Sequence, residues 1–200
     1  MRYLIGIDEA GRGPLAGPVS VGAVRVPVHF DVLKAFPDVK DSKLLAPSKR
    51  EEIYKEVVKR AGAGELAFCV RFAGHRYIDT FGIMRAVRRA VLASIKKLAP
   101  EPSGVKVLLD GLLRAPEAYR QETIIHGDAL VPLLSLASVI AKVRRDMRMR
   151  GLARHFPNYG FEFHKGYGTE AHRAAIRMFG LCDIHRVTYC LGLLTDGKSV

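Results

Sequence analysis

Ile5-Gly6-Ile7-Asp8-Glu9-Ala10-Gly11-Arg12-Gly13 is an apolar run that stops on two carboxylates and turns at once through glycine, arginine and glycine. The run reads as a strand buried on both faces. Charge at the end of such a strand is costly unless something cationic meets it. A metal ion is the simplest such partner, and the glycine–arginine–glycine turn can hold a phosphate backbone beside it.

The same grammar returns downstream. Val105-Lys106-Val107-Leu108-Leu109 leads to Asp110, and Asp128, in His126-Gly127-Asp128, is expected to close a further strand over 120–126. If strands 3–8 and 105–110 are parallel neighbours, both acids emerge at one end of the sheet, where open sheets of this type place ligands. Acids converging there raise one another's pKa unless divalent cations bind between them. Oxygen-only ligands favour Mg²⁺ or Mn²⁺ over zinc. Glu9 is the difficult member. Adjacent residues on a regular strand face opposite ways, so Asp8 and Glu9 share a metal only if the strand bends or ends there, or if a backbone carbonyl helps.

Working outward, alternation and turn residues predict strands over 18–26 and 66–72. A helix is expected from Ser48, whose spacing to Glu51 suits a capping box. Helical spacing of apolar residues runs unbroken near 77–98 and again over 133–149, with Gly151 as a stop. A last clear helix spans 169–179, capped by Thr169 and ended by Gly180, and the final ten residues read as loosely held. Three early strands followed by strand–helix alternation give an α/β fold, one mixed sheet with helices on both faces.

The 200 residues suit a single domain. Thirty-two Lys and Arg against 20 Asp and Glu leave a net charge of +12, which favours a polyanionic partner, nucleic acid before a membrane surface. Half of that excess falls in 142–186, from Lys142, Arg144, Arg145, Arg148, Arg150, Arg154, Lys165, Arg173, Arg177 and Arg186 against four acids. These are read as phosphate contacts. Three separated cysteines make neither a disulfide framework nor a zinc site, so a cytoplasmic setting is expected. No apolar run is long enough to span a bilayer, and Asp8 and Glu9 interrupt any signal peptide.

At this point the motifs resemble a known family. Asp8-Glu9-Ala10-Gly11-Arg12-Gly13-Pro14-Leu15-Ala16-Gly17-Pro18 is similar to the opening motif of ribonuclease HII, the type 2 ribonuclease H of bacteria. Asp41-Ser42-Lys43, Leu109-Asp110-Gly111, Gly127-Asp128 with Ala137-Ser138-Val139-Ile140-Ala141-Lys142-Val143, and His164-Lys165-Gly166-Tyr167-Gly168-Thr169 follow in the family's order. The resemblance implies a ribonuclease H-like fold: a five-stranded mixed sheet flanked by helices, with a C-terminal helical region. Its core would cover about 1–150 and a substrate-binding helical region about 151–190.

It also implies two divalent cations held by Asp8, Glu9, Asp110 and Asp128, with Asp8 bridging. The implied substrates are RNA–DNA hybrids and DNA duplexes containing single ribonucleotides. Gly11, Arg12, Gly13 and Tyr167 would read the ribose 2′-hydroxyl, and Lys43, Ser138 and Lys165 would contact the substrate. The sequence departs from the family at His126, where lysine is commoner, at Leu136 and at Arg144-Arg145-Asp146. A monomer is the default, and Leu191–Val200 shows no motif for a replication clamp. No histidine is assigned as a base. A non-catalytic binding module would lack one of the acids. A DNA nuclease of the same fold would not need the ribose-reading residues, and no GxxxxGK[ST] loop supports a nucleotide-binding protein.

Overall fold

The computed structural model describes residues 1–39 and 44–195; Lys43, with Asp41 and Ser42, lies outside them. In chain order the elements are β1 (Tyr3–Ala10), β2 (Val19–Pro27), α1 (Val32–Ala35), α2 (Pro47–Gly62), β3 (Ala67–Ala73), α3 (His75–Phe81), α4 (Ile83–Leu98), β4 (Val105–Asp110) and β5 (Arg120–Ile124). Then come α5 (Gly127–Leu130), α6 (Pro132–Ala153), a 3₁₀ turn (Pro157–Tyr159), α7 (Phe161–His164), α8 (Glu170–Phe179) and α9 (Val187–Thr195).

The five strands form one mixed sheet in the order β3-β2-β1-β4-β5, antiparallel on the β2 side of β1 and parallel on its β4 side. β1 is therefore central, which accounts for its near-continuous apolar run. Its odd residues Ile5 and Ile7, with Val105, Val107 and Leu109 of β4, pack against α4 in one core cluster. Its even face, with Leu108 of β4, meets α2 and α6. Close approach of α6 depends on Gly22, since a Cβ there would lie 2.4 Å from the Ala137 carbonyl oxygen. A third cluster, Ala16, Met149, Ala153, Tyr159, Phe161 and Ile184, gives residues beyond α6 a small core of their own.

Several boundaries differ from the sequence reading. Pro47 opens α2 at its first turn with Ala46 as an uncapped N-cap, so Ser48 lies inside the helix and makes no capping box. The long apolar segment is two helices, because Gly82 at φ 80° turns the chain between α3 and α4. Gly151 does not stop α6; burial of Ala153 against the third cluster carries the helix two residues further. β5 ends at Ile124, so Asp128 stands on α5 rather than at a strand end. Thr169 caps α8 by accepting from the His172 amide, as the spacing predicts. The tail read as loose is helical through Thr195. Among the described residues no helix is long and apolar enough to cross a membrane.

Candidate active site

Strand parity and register assemble the acids. β1 and β4 pair through Ile7 with Leu109, so Asp8 and Asp110 come next in register, both on the α6 face. Asp128 reaches the same point from α5, which is anchored from two sides. The Asp110 carboxylate accepts from the amides of Gly127 at 2.6 Å and Asp128 at 3.4 Å. The Ser135 hydroxyl donates to the Asp128 carbonyl at 2.6 Å. One carboxylate oxygen each from Asp8, Asp110 and Asp128 lie within 4.8 Å of one another, and the side chains of Asp8 and Asp128 are buried. An oxygen-only set this tight suits a hard divalent cation and has no softer ligand that would suit zinc.

Glu9 is not in that cluster. β1 stays regular through Ala10, so Glu9 faces the α4 side and pairs with Arg12 at 3.2 Å. It still lines the same cleft, of about 260 Å³, with the three aspartates. Burial, then the charges of Glu9 and Asp110, raises Asp8 well above its ordinary pKa, against a hydrogen bond from the Ser138 hydroxyl. Burial also raises Glu9, against the guanidinium of Arg12. A larger cavity of about 840 Å³, lined by Arg144, Arg148 and His75 among others, has no carboxylate in its wall.

The cleft's other wall is made by Gly11, Arg12, Ser138, Lys142 and Tyr167. Lys142, read from the sequence as one of ten basic residues for phosphate, lies one helical turn after Ser138 on the same face of α6, which puts it in the cleft wall. It pairs with Asp146 at 2.9 Å and sits 5.4 Å from the Tyr167 ring centroid. Gly13 is exposed and is not part of the wall. The Lys165 ammonium folds back onto the carbonyls of Glu162 and Phe163, away from the cleft, while its backbone adopts φ 54°.

Two of the arginines read as phosphate contacts are instead buried supports. Arg145 and Arg186 are each 0% exposed. Arg186 donates to the carbonyls of Gly11, Arg12 and Gly17. Arg145 donates to those of Ala16, Pro18 and Lys165. Gly11, at φ 93°, has no room for a side chain: a Cβ would lie 2.0 Å from the Arg145 Nε. Burial lowers the pKa of both guanidiniums, Arg186 to about 10 with Arg145 contributing, so Arg186 stays charged. The signal available was modest: Arg145 falls between Ala141 and Met149 on the inward arc of α6.

A buried histidine chain sets the Tyr167 loop. The Tyr167 carbonyl can only accept, so His172 Nδ1 carries the proton toward it at 2.9 Å. The neutral ring then accepts at Nε2 from His185 Nε2 at 3.0 Å, and His185 Nδ1 accepts from the Cys182 amide at 2.9 Å. His164 stacks on His172 with centroids 4.4 Å apart and is fixed by the Tyr159 carbonyl and the Gly166 amide. Burial lowers both His172 and His185 to about 4, which keeps the chain neutral.

Comparison with known proteins now has a site to explain. The profile of the family described as Ribonuclease HII matches residues 5–191. A Burkholderia thailandensis protein named Ribonuclease HII is 44% identical over 184 residues, 92% of this chain and 81% of that one. The chain belongs to the ribonuclease HII family. Another protein of that name, from Ruminiclostridium cellulolyticum, is 39% identical over 94% of this chain and 69% of its own.

The fold matches the ribonuclease H2 of Pyrococcus horikoshii OT3 (TM-score 0.75, 23% identity, 98% and 100% of the two chains). It also matches Archaeoglobus fulgidus ribonuclease HII, solved with PCNA (TM-score 0.76, 24% identity, 98% and 97%). A ribonuclease HIII solved with Mn²⁺ matches with a TM-score of 0.70 at 20% identity over 98% and 70%. The chain is thus a ribonuclease H with the ribonuclease H-like fold, and its acidic cluster is suited to divalent metal.

Proposed function

We propose that this ribonuclease HII hydrolyses the RNA strand of RNA–DNA hybrids and incises on the 5′ side of single ribonucleotides in duplex DNA. The products carry 3′-hydroxyl and 5′-phosphate ends. One observation supports this above the others: the three clustered aspartates and the residues matched to ribose reading, Gly11, Arg12 and Tyr167, line a single cleft.

In this reading Asp8, Asp110 and Asp128 would hold two divalent cations, Mg²⁺ or Mn²⁺, and the chemistry these would supply is neutralisation of the phosphate and activation of water. Ser138 orients Asp8, and the α5 amides orient Asp110. Arg12 neutralises Glu9 in the free protein. Glu9, which lines the same cleft, would join the metal-binding set once its pair with Arg12 opened. The Gly11 backbone approaches the ribose edge, and the Tyr167 hydroxyl, able to donate and accept, meets the 2′-hydroxyl. Lys142 supplies a cation for the phosphate backbone beside it.

The test uses purified protein with Mg²⁺ or Mn²⁺ and three substrates: a DNA duplex with one ribonucleotide, the same duplex in all-DNA form, and a long hybrid. Cleavage is expected 5′ of the ribonucleotide and within the hybrid, with the all-DNA duplex intact. Cutting of the all-DNA duplex at a comparable rate would overturn the reading.

A further inference from the structure

We propose that the groove between α4 and the loop 111–116 is a second phosphate-backbone site, which binds the nucleic-acid duplex beyond the catalytic cleft. Residues 75–98 carry six Lys and Arg against one acid, Asp79. Asp79 is engaged elsewhere, accepting from the amides of Val187 and Thr188 and from the Thr188 hydroxyl.

Two adjoining cavities, of about 270 and 510 Å³, share Arg85, Arg88 and Arg114 in their walls. All three side chains are exposed, and none is ion-paired among the described residues. Arg85 and Arg88 stand one turn apart on α4, where like charges repel. The chain nevertheless brings Arg114 up to them from a different element. Gathered guanidiniums with no acid make a local positive potential that an extended polyanion relieves.

The groove's position favours a duplex over an acidic peptide. Met84 at its near end contacts Arg12, Nη2 to Sδ 3.0 Å, and Leu112 follows Asp110 by two residues. The groove therefore opens from the rim of the catalytic cleft, and a strand whose phosphate sits at the aspartates can continue into it. The proposal rests on the ribonuclease reading only in taking that cleft as the point of entry.

The test compares wild type with the Arg85→Gln/Arg88→Gln/Arg114→Gln protein. Binding is followed by fluorescence anisotropy without divalent metal, across a KCl series. The probes are a short duplex centred on one ribonucleotide, a long one and a long all-DNA duplex. For both long duplexes the slope of log affinity against log salt is expected to fall by about 2–3, at roughly 0.9 per lost phosphate contact. The short duplex should bind as before and, in a separate assay with Mg²⁺, be cleaved as before. A Lys34→Gln/Lys55→Gln/Lys59→Gln protein, which loses the same charge from α1 and α2, should shift the slope by less than one.

Equal slopes for the arginine variant and wild type overturn the proposal. So do equal losses on short and long duplexes, or a groove that binds a poly-glutamate peptide while long-duplex affinity is untouched. Because the all-DNA probe reports the groove without the ribose, failure of ribonucleotide selectivity would leave this result interpretable.

Discussion

The floor and the wall of the catalytic cleft solve opposite electrostatic problems. The floor gathers carboxylates whose burial makes their charge unfavourable, with Asp8 raised well above its ordinary pKa. The wall is held by buried bases: two guanidiniums satisfied by carbonyls, and two histidines kept neutral with their pKa values near 4. The floor is left strained for a cation to relieve, whereas the wall is complete without any ligand. In the proposed reading, chemistry falls to the part that is destabilised and recognition to the part that is rigid.

The sharpest way to break this contrast is at the floor. Asp8→Asn should lower cleavage by on the order of 10³-fold or more while hybrid binding persists. The same substitution should raise the stability of the metal-free protein, since an uncomfortable charge is gone. Unchanged cleavage would remove Asp8 from the metal site. A pH titration adds a sign. Because folding raises the Asp8 pKa, the native state holds the proton longer, and the metal-free protein loses stability as pH rises from near 4 through that raised value. Added Mg²⁺ should flatten this limb in thermal melts.

At the wall the largest expected effect is structural. Arg186→Met removes three hydrogen bonds from carbonyls of the 11–17 loop and should cost ~3–4 kcal/mol in denaturant unfolding. A loss under ~1 kcal/mol would show that the loop holds itself.

Next comes the histidine chain, whose sign opposes that of Asp8. Unfolded histidines take protons near 6.5 and the folded pair near 4, so stability is fully present above 6.5 and falls as pH drops through that interval. The first proton taken up is worth ~3 kcal/mol. His185→Gln should lower stability at neutral pH and flatten this acid limb, as read from melting temperature against pH. The smallest effect belongs to the contact itself: Tyr167→Phe should slow cutting at a single ribonucleotide about 10-fold, ~1.4 kcal/mol, with less effect on long hybrids.

What the sequence disclosed, and what it hid, divides along the same line. Asp8 and Asp110 announced themselves because charge at the end of a buried strand is conspicuous and strand parity is a period of two. The parity that joins them also separates Glu9, a difficulty visible before the structure was known. Asp128 was found by the same strand-end grammar, although its element was misread, since four residues of helix after a strand leave no periodic trace. Arg145 and Arg186 were hidden because all but one of their carbonyl partners lie more than a hundred residues away along the chain, and composition counts them only as surplus charge. His172 and His185 were hidden likewise: a relay through ring nitrogens depends on tertiary contact alone.

The bond from Arg186 to the Gly11 carbonyl spans 175 residues of chain. During synthesis at roughly 5–20 residues per second, the loop emerges about 10–35 s before its guanidinium exists. β1 can pair and bury its apolar face in that interval, but the 11–17 turn lacks the three Arg186 hydrogen bonds until then. The turn beside the cleft is therefore anchored later in synthesis than the strand that leads into it.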